Sequence, residues 1–414
     1  MRFGLNFMFA RRKANLAGYV DRIEANEISG WVADLSSPGK AVEVEILVNG
    51  RPASRIKPSL SRKDADAAGY SGARGFQFCP APHLVSGKNR VEVIFAATRQ
   101  HIRGGRAEID YGISARVDNF WSAKYSPSGE TDLTLCWWQC DAIIRHVNAR
   151  VCGVDVPGLS QGLYQLMPRR FGSRLPLARA VSVGCGFGRK EADAINSLVI
   201  DAFDLFELSS EAVKRGRDLA AGEGLADRMH FQLGDAFRIV EETQVYDAVF
   251  WNNSLHHMLD VDAALEWSYR VLKPGGVLIL DDYVGPTLMQ WSDRLCDINT
   301  QYRRSLPKKY LADPQHPGHS LPVEVRRPDK DSFVCIDPSE GADSERIIPS
   351  IRKYFPSAEI IPTGGGIYLL GLNVILHNLI AAGDTEELSR ALKLDDRCVE
   401  IGESPYAVAL AIKE

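Results

Sequence analysis

Ala180-Val181-Ser182-Val183-Gly184-Cys185-Gly186-Phe187-Gly188-Arg189 is the stretch from which the rest of the chain can be read. Ala180–Val183 is short and mostly apolar, as a buried strand is, and three glycines at alternate positions follow at once. Glycine lets a chain turn sharply at positive φ and bring bare backbone against a ligand. Arg189–Leu198 then reads as a helix, so the turn lies beneath a helix N-terminus, where unpaired backbone N–H groups gather. A dinucleotide fingerprint, G-x-G-x-x-G, requires glycine at 189. Arginine stands there, and the pattern is G-x-G-x-G.

Working outward, Val199–Phe206 reads as a second strand that ends at Glu207, before Ser209, Ser210 and Glu211 open a helix. An acid at that place has two acceptor oxygens for the two hydroxyls of a ribose. Asp201 and Asp204 compete for the role, and Glu207 is preferred because it stands at the strand end. A third strand, Met229–Leu233, ends in Gly234-Asp235-Ala236, whose acid is placed to accept from an adenine amine. The fourth, Tyr246–Trp251, ends in Asn252 and Asn253. A helix with Val261, Leu265 and Leu272 on one face follows, then Lys273-Pro274-Gly275-Gly276 and a fifth strand, Val277–Leu280. Strands alternating with helices in this way give a doubly wound parallel sheet.

In this order and spacing, VSVGCGFGR, Glu207, the Gly234-Asp235-Ala236 step and VLKPGGVLIL resemble the class I S-adenosylmethionine-dependent methyltransferases over about residues 180–282. The resemblance implies an α/β fold with a Rossmann-like sheet, parallel but for an antiparallel last strand. It implies S-adenosyl-L-methionine as cofactor, with Gly184, Gly186 and Gly188 against the methionyl end and ribose. Glu207 would then hold the ribose hydroxyls, Asp235 with Ala236 would lie beside adenine, and Asn252 would lie near the methionine moiety. Many relatives carry Asp where Glu207 stands; either acid accepts two hydroxyls. Arg189 disfavours a dehydrogenase, and the intact turn with Glu207 and Asp235 argues against an idle glycan-binding or scaffold protein.

Methyl transfer is an in-line displacement, and a hydroxyl acceptor is a poor nucleophile that a general base helps. Asn252-Asn253-Ser254-Leu255-His256-His257-Met258 lies just past the fourth strand, where the transferred methyl would point. Adjacent residues rarely face the same way, so one histidine is expected to act. His257 is the first choice and His256 the reserve. Asp282 or Tyr283 is expected to orient the histidine or hold the acceptor. Asp281, Asp282 and Asp293 are the acids a metal would use, nothing in the spacing makes them converge, and no metal is expected.

GCGFGRKE, NNSLHHM, DDYVGPTLMQW, DPSE and PTGGGIYLL are similar to a bacterial group of surface-polysaccharide and glycan methyltransferases. That resemblance implies a sugar hydroxyl in a surface glycan or its precursor as acceptor, and a cap inserted at about 287–350. Arg303, Arg304, Arg326 and Arg327 there either meet an anionic acceptor or are solvated, and Glu340 is an acceptor contact. A small molecule or lipid-linked intermediate is the alternative acceptor.

Residues 16–98 read as strands. AVEVEILV at 41–48 alternates with period two and Asn49-Gly50 follows as a hairpin turn; Arg90–Ala96 alternates again, and a short helix is expected near Ser61–Ala68. The stretch resembles a small β-domain, marked by G-W-x-x-D at Gly30–Asp34, that accompanies bacterial glycan enzymes. Trp31 is expected in its core, and Arg62 paired with Asp34 or Asp64. The expected organisation is a tail at 1–15, a β-sandwich at 16–103, a helical lead-in at 104–178, including a helix carrying Trp137, Ile144 and Val147, and a methyltransferase domain at 179–414 closed by strands at 358–362 and 406–412.

The 414 residues exceed one ordinary domain, and 45% apolar with 25% charged residues excludes a disordered chain. Lys and Arg total 49 against 53 acids, and the net charge of −4 argues against nucleic acid as partner. No run of apolar residues is long enough to cross a membrane. The start lacks a secretory pattern, while Phe3, Phe7 and Phe9 followed by Arg11, Arg12 and Lys13 offer at most a weak interfacial anchor. Eight scattered cysteines without a C-x-x-C pair read as reduced thiols, which places the protein in the cytoplasm, peripheral to the inner membrane at most.

Overall fold

Period-two apolar patterning builds the strands of residues 16–111, and strand–helix alternation builds the chain from 177 onward. The computed structural model describes residues 15–70, 72–85, 87–112 and 135–414. The aromatic and basic residues at 3–13 lie outside the described residues. Two units result, one made of Met1–Ile113 with Lys330–Pro338, the other of Ser114–Asp329 with Ser339–Glu414.

The first unit holds β1 (Leu16–Ile23), β2 (Ile28–Asp34), β3 (Val44–Val48), β4 (Arg51–Ile56), β5 (Leu60–Ser61), α1 (Lys63–Ala67), β6 (Arg74–Phe78), β7 (Gly87–Phe95) and β8 (His101–Tyr111). Asn49 (φ 52°) and Gly50 (φ 76°) both take the left-handed region that a two-residue hairpin demands, and they join β3 to β4. The strands run in the order β4-β3-β7-β8-β1-β2-β6-β5. The sandwich expected from the sequence is therefore one eight-stranded sheet, joined in the middle where β1 pairs with β8 at Tyr19 and Arg103. Val20, Ile28 and Val32 from one half and Val44, Ile46, Val91 and Val93 from the other still share one apolar cluster. Trp31 is buried against Tyr70, with ring centroids 4.6 Å apart, as a core residue is. Arg62 pairs with Asp64 and Asp21, both at 2.6 Å, while Asp34 accepts from Ser36 instead. Residues 104–111, read from the sequence as the start of a helical lead-in, belong to β8.

The second unit begins, within the described residues, with α2 (Asp141–Cys152) and α3 (Gln161–Phe171). Trp137 sits in a short 3-10 turn ahead of α2, and residues 131–134 of the expected helix lie outside the described residues. There follow β9 (Leu177–Val183), α4 (Arg189–Asn196), β10 (Ile200–Glu207), α5 (Ser210–Gly222), β11 (Met229–Leu233), α6 (Ala236–Ile239), β12 (Tyr246–Asn252), α7 (Val261–Val271), β13 (Leu272–Tyr283) and α8 (Asp293–Ser305). After α9 (Lys330–Ile336), which belongs to the first unit, come α10 (Ile347–Tyr354), β14 (Glu359–Gly364), α11 (Ile375–Ala382), α12 (Thr385–Glu400) and β15 (Tyr406–Ile412). Ser209 and Asp260 start α5 and α7 by accepting from the N–H of Ala212 (3.2 Å) and Ala263 (3.0 Å).

The sheet order is β11-β10-β9-β12-β13-β15-β14, with β15 antiparallel to both of its neighbours. Phe203, Leu205, Phe250 and Ile279 fill one face of the sheet, and Val181, Phe206, Val249, Trp251 and Leu278 fill the other. Burial on both faces explains why these strands read as continuous apolar runs, and each such side chain stabilises the fold by about 1.5–3 kcal/mol. From β9 the chain winds to one side through β10 and β11, then returns to the other through β12 and β13. The crevice at the carboxyl ends of β9 and β12 is thus a topological switch point, where ligands of such sheets bind.

Trp291, Leu295 and Tyr302 on and before α8 pack with Ile367, Tyr368, Ile375 and Leu379 as a separate apolar cluster. Arg303, expected either on the surface or at an anion, is buried there and donates to the carbonyls of Leu370 (2.9 Å), Gly371 (3.1 Å) and Pro322 (3.0 Å). It organises backbone, not acceptor. Arg326 pairs with Glu324 at 2.6 Å, and Arg327 holds Asp293 and the carbonyl of Trp291.

Within the first unit Cys79, just after β6, forms a disulfide with Cys335 on α9. That corrects the reading of all cysteines as reduced: the two are 256 positions apart, and no spacing rule links them. Among the described residues no helix is long and apolar enough to cross a membrane.

Candidate active site

The glycine turn leaves β9 at the switch point. Gly184, Gly186 and Gly188 have φ of 66°, 57° and 76°, so each needs the left-handed region for which a side chain is penalised. At Gly188 a Cβ would also lie 2.7 Å from the Phe231 ring. Glu207, at the end of β10, accepts the N–H of Gly186 (2.8 Å) on one oxygen and those of Leu208 (2.8 Å) and Ser209 (2.9 Å) on the other. Three backbone N–H bonds thus fix the carboxylate at the end of the strand. Asp204 is held by Arg179 and Tyr246, and Asp201 by Arg228, away from the strand end. Asp235 caps α6 through the N–H of Phe237 (3.0 Å), and Ala236 is buried as the first residue of that helix.

Asn252 closes β12 inside a polar network that spacing did not reveal. Its amide donates to Ser160 Oγ (3.2 Å), Ser160 donates to Asp281 (2.7 Å), and Lys190 Nζ donates to the Asn252 carbonyl (2.8 Å). Burial lowers the Lys190 ammonium from its ordinary value and raises the carboxyl of Asp281, with Ser160 pulling the latter back. Lys190 follows the glycine turn directly, which was a usable signal; Ser160, 121 positions before Asp281, gave none. Ser254 Oγ, in the segment after β12, is buried with no hydrogen-bond partner among the described residues, and the Ser254 Cβ would lie 3.4 Å from a Cβ built on Gly184. An orphaned hydroxyl facing a glycine turn fits a site made for a polar ligand.

Both histidines of the 252–258 segment face one way, against expectation. The short 3-10 turn Leu255–His257 brings their rings to 4.1 Å between centroids. Nδ1 of His256 rests on Asp282, which also accepts the N–H groups of Ser254 (3.0 Å), Leu255 (2.7 Å) and Tyr283 (2.7 Å). Nδ1 of His257 meets Ser339 Oγ at 3.1 Å. The two Nε2 atoms approach Glu340, at 3.8 Å from His256 and 4.0 Å from His257. Burial opposes charge on His256, but Asp282 and then Glu340 outweigh it and raise its pKa, which makes the ring a stronger base than free imidazole. Asp282 therefore orients His256, the reserve choice. The Tyr283 hydroxyl donates to the Pro286 carbonyl (2.9 Å), and its ring stands edge-on to His256. Asp281, Asp282 and Asp293 do not converge: their partners are Ser160, His256 and Arg327.

Residues 181–280 match the family described as Methyltransferase domain. The match covers 100 of the 414 residues. It carries the glycine turn, Glu207, Asp235, Asn252 and both histidines. The chain is 30% identical over 128 residues to the 27-O-demethylrifamycin SV methyltransferase of Amycolatopsis mediterranei (strain S699), covering 30% of this chain and 44% of that protein. It is 32% identical over 104 residues to the chloroplastic tocopherol O-methyltransferase of Arabidopsis thaliana, covering 25% of this chain and 30% of that one. The chain thus spans less than half the length of these curated relatives. Among solved structures it is similar to phosphoethanolamine N-methyltransferase 2 of Haemonchus contortus in complex with S-adenosyl-L-methionine, with a TM-score of 0.43, 15% identity, and coverage of 76% of this chain and 62% of that one.

Proposed function

We propose that the chain is an S-adenosyl-L-methionine-dependent O-methyltransferase. One observation carries the reading: the left-handed glycine turn tied to Glu207 opens beside a segment in which Asp282 fixes a buried histidine. The cofactor supplies a methyl group on a sulfonium. Gly184–Gly188 admits it closely, Glu207 accepts its ribose hydroxyls, Asp235 meets its adenine, and Asn252 with Lys190 borders its methionine end. Asp282 accepts from Nδ1 of His256, so Nε2 presents a lone pair to the acceptor hydroxyl. Nε2 would take the proton of the acceptor hydroxyl as its oxygen receives the methyl group that a bound S-adenosylmethionine would supply, leaving the thioether. His257, held by Ser339, and Glu340 flank the acceptor oxygen.

The acceptor we favour is a sugar hydroxyl of a bacterial surface glycan or its precursor, supported by the accompanying β-domain and the motifs that resemble glycan enzymes. A small-molecule hydroxyl is the second reading, supported by the names of the rifamycin and tocopherol enzymes. In either case the β-domain serves docking or acceptor contact and takes no part in the chemistry. A cytoplasmic site of action beside the inner membrane belongs to the glycan reading, while the Cys79–Cys335 disulfide is the observation that weighs against a reducing compartment. Calorimetry with S-adenosylmethionine tests the cofactor: no binding at millimolar concentration rejects the proposal. Incubation with methyl-labelled cofactor and two acceptor panels, saccharides and small-molecule alcohols, separates the acceptors by which panel gains label.

A further inference from the structure

The geometry of the His256–His257–Glu340 cluster reaches beyond proton transfer. One nitrogen of each ring is already engaged, Nδ1 of His256 by Asp282 and Nδ1 of His257 by Ser339 Oγ. Asp282 takes three backbone N–H bonds besides, so it acts as an acceptor, and Nδ1 of His256 carries the proton. Its Nε2 therefore offers a lone pair. A carboxylate holding the far nitrogen of a ligating imidazole, fixing its tautomer and raising its basicity, is the usual support of a metal-bound histidine.

The other side of the cluster fits the same demand. The two Nε2 atoms and a Glu340 oxygen lie within 4.8 Å of one another. Separations of 3.8 and 4.0 Å between nitrogen and carboxylate are too long for hydrogen bonds. Two ligands about 2.1 Å from a tetrahedral ion stand roughly 3.4 Å apart. Small side-chain rotations close that difference around one ion. His256 is buried and the other two are half-buried.

We propose that Nε2 of His256, Nε2 of His257 and the Glu340 carboxylate bind a single divalent transition ion of the zinc class. Two imidazoles and one carboxylate are borderline donors that suit zinc, and three protein ligands leave one position for solvent or an acceptor oxygen. The ion site stands on this geometry alone. Its consequence, that ion and acceptor proton compete for the same nitrogen lone pairs, rests on the proposed function.

Cobalt(II) as a visible probe, added to the full chain with neither cofactor nor acceptor, tests the site. One equivalent should give d–d absorption bands that zinc abolishes. Glu340→Gln should lose those bands, and Asp282→Asn should bind 10- to 100-fold more weakly. Far-ultraviolet dichroism and melting temperature report whether each variant folds; His257→Gln is the second variant should Glu340→Gln not fold. Absence of bands in the wild-type chain overturns the site, as do unchanged bands in a folded Glu340→Gln or His257→Gln. A chain that binds cobalt but no S-adenosylmethionine keeps the ion site and loses the methyltransferase reading, and the converse loses the ion site alone.

Discussion

Glu207 accepts the backbone N–H of Gly186 at 2.8 Å, so the acid that ends β10 is fastened to the middle of the glycine turn that follows β9. One carboxylate thereby shapes the turn, and under the proposed function it also meets the cofactor. Glu207→Gln swaps an acceptor oxygen for an amide donor among three N–H groups. Cofactor affinity should fall at least tenfold, about 1.4 kcal/mol, as measured by calorimetry. An unchanged Kd would show that Glu207 neither shapes nor lines the site.

Asp282→Asn should lower methyl transfer by about 100-fold or more while cofactor affinity stays the same, because His256 loses the acceptor that sets its tautomer. His257→Ala should cost less, since Ser339 is a neutral partner. Steady-state kinetics on whichever acceptor takes up label makes the comparison. Equal losses would put the base on His257.

Gly188 and Gly153 share a φ of 76° but differ in surroundings. A Cβ on Gly188 would lie 2.7 Å from Phe231 and 2.8 Å from Met229, and one on Gly153 would meet nothing within 4 Å. Gly153→Ala should cost only the backbone term, about 1 kcal/mol. Gly188→Ala should cost roughly 2–4 kcal/mol, because crowding adds to it. Denaturant melts of the two variants should therefore separate steric from conformational cost, and equal losses would refute the crowding.

Asp395 is buried under the 364–368 turn, where it accepts from the N–H of Ile367 (2.7 Å) and Gly365 (3.2 Å). Burial dominates and pushes its carboxyl up to about 6, from 3.8 in an unperturbed aspartate. The folded chain then holds this proton more tightly than the unfolded one. The stabilisation is full below pH 4 and is lost as pH rises through 6. Relative to the wild type, Asp395→Asn should gain on the order of 1–3 kcal/mol between pH 4 and pH 7. Urea melts at both values read the difference, and a constant gap would mean that Asp395 ionises as in the unfolded chain.

What could be read in the sequence is what neighbouring residues settle among themselves. The Asn49-Gly50 hairpin, the three left-handed glycines and the acid ending β10 depend on local turn chemistry and strand length. The partners of Asn252, Asp281 and Arg303 depend on distant segments meeting, and no periodicity records that Ser160 will reach Asp281 or that Arg303 will lie among carbonyls. The two histidines show the same limit from the other side. Side-by-side residues diverge on a regular helix or strand, but a single 3-10 turn lets both rings face Glu340, 83 positions beyond His257 (340 − 257).

Lys330–Pro338 groups with Met1–Ile113, so the polypeptide passes between the two units three times, after 113, after 329 and after 338. A recombination event that cuts once can therefore not transplant the β-unit intact, because it would leave behind α9 and the thiol that Cys79 requires. The pair has to be inherited as one piece. The same path gives the protein a second tether: a backbone severed anywhere between 113 and 330 still holds its fragments together through sulfur until a reductant is added.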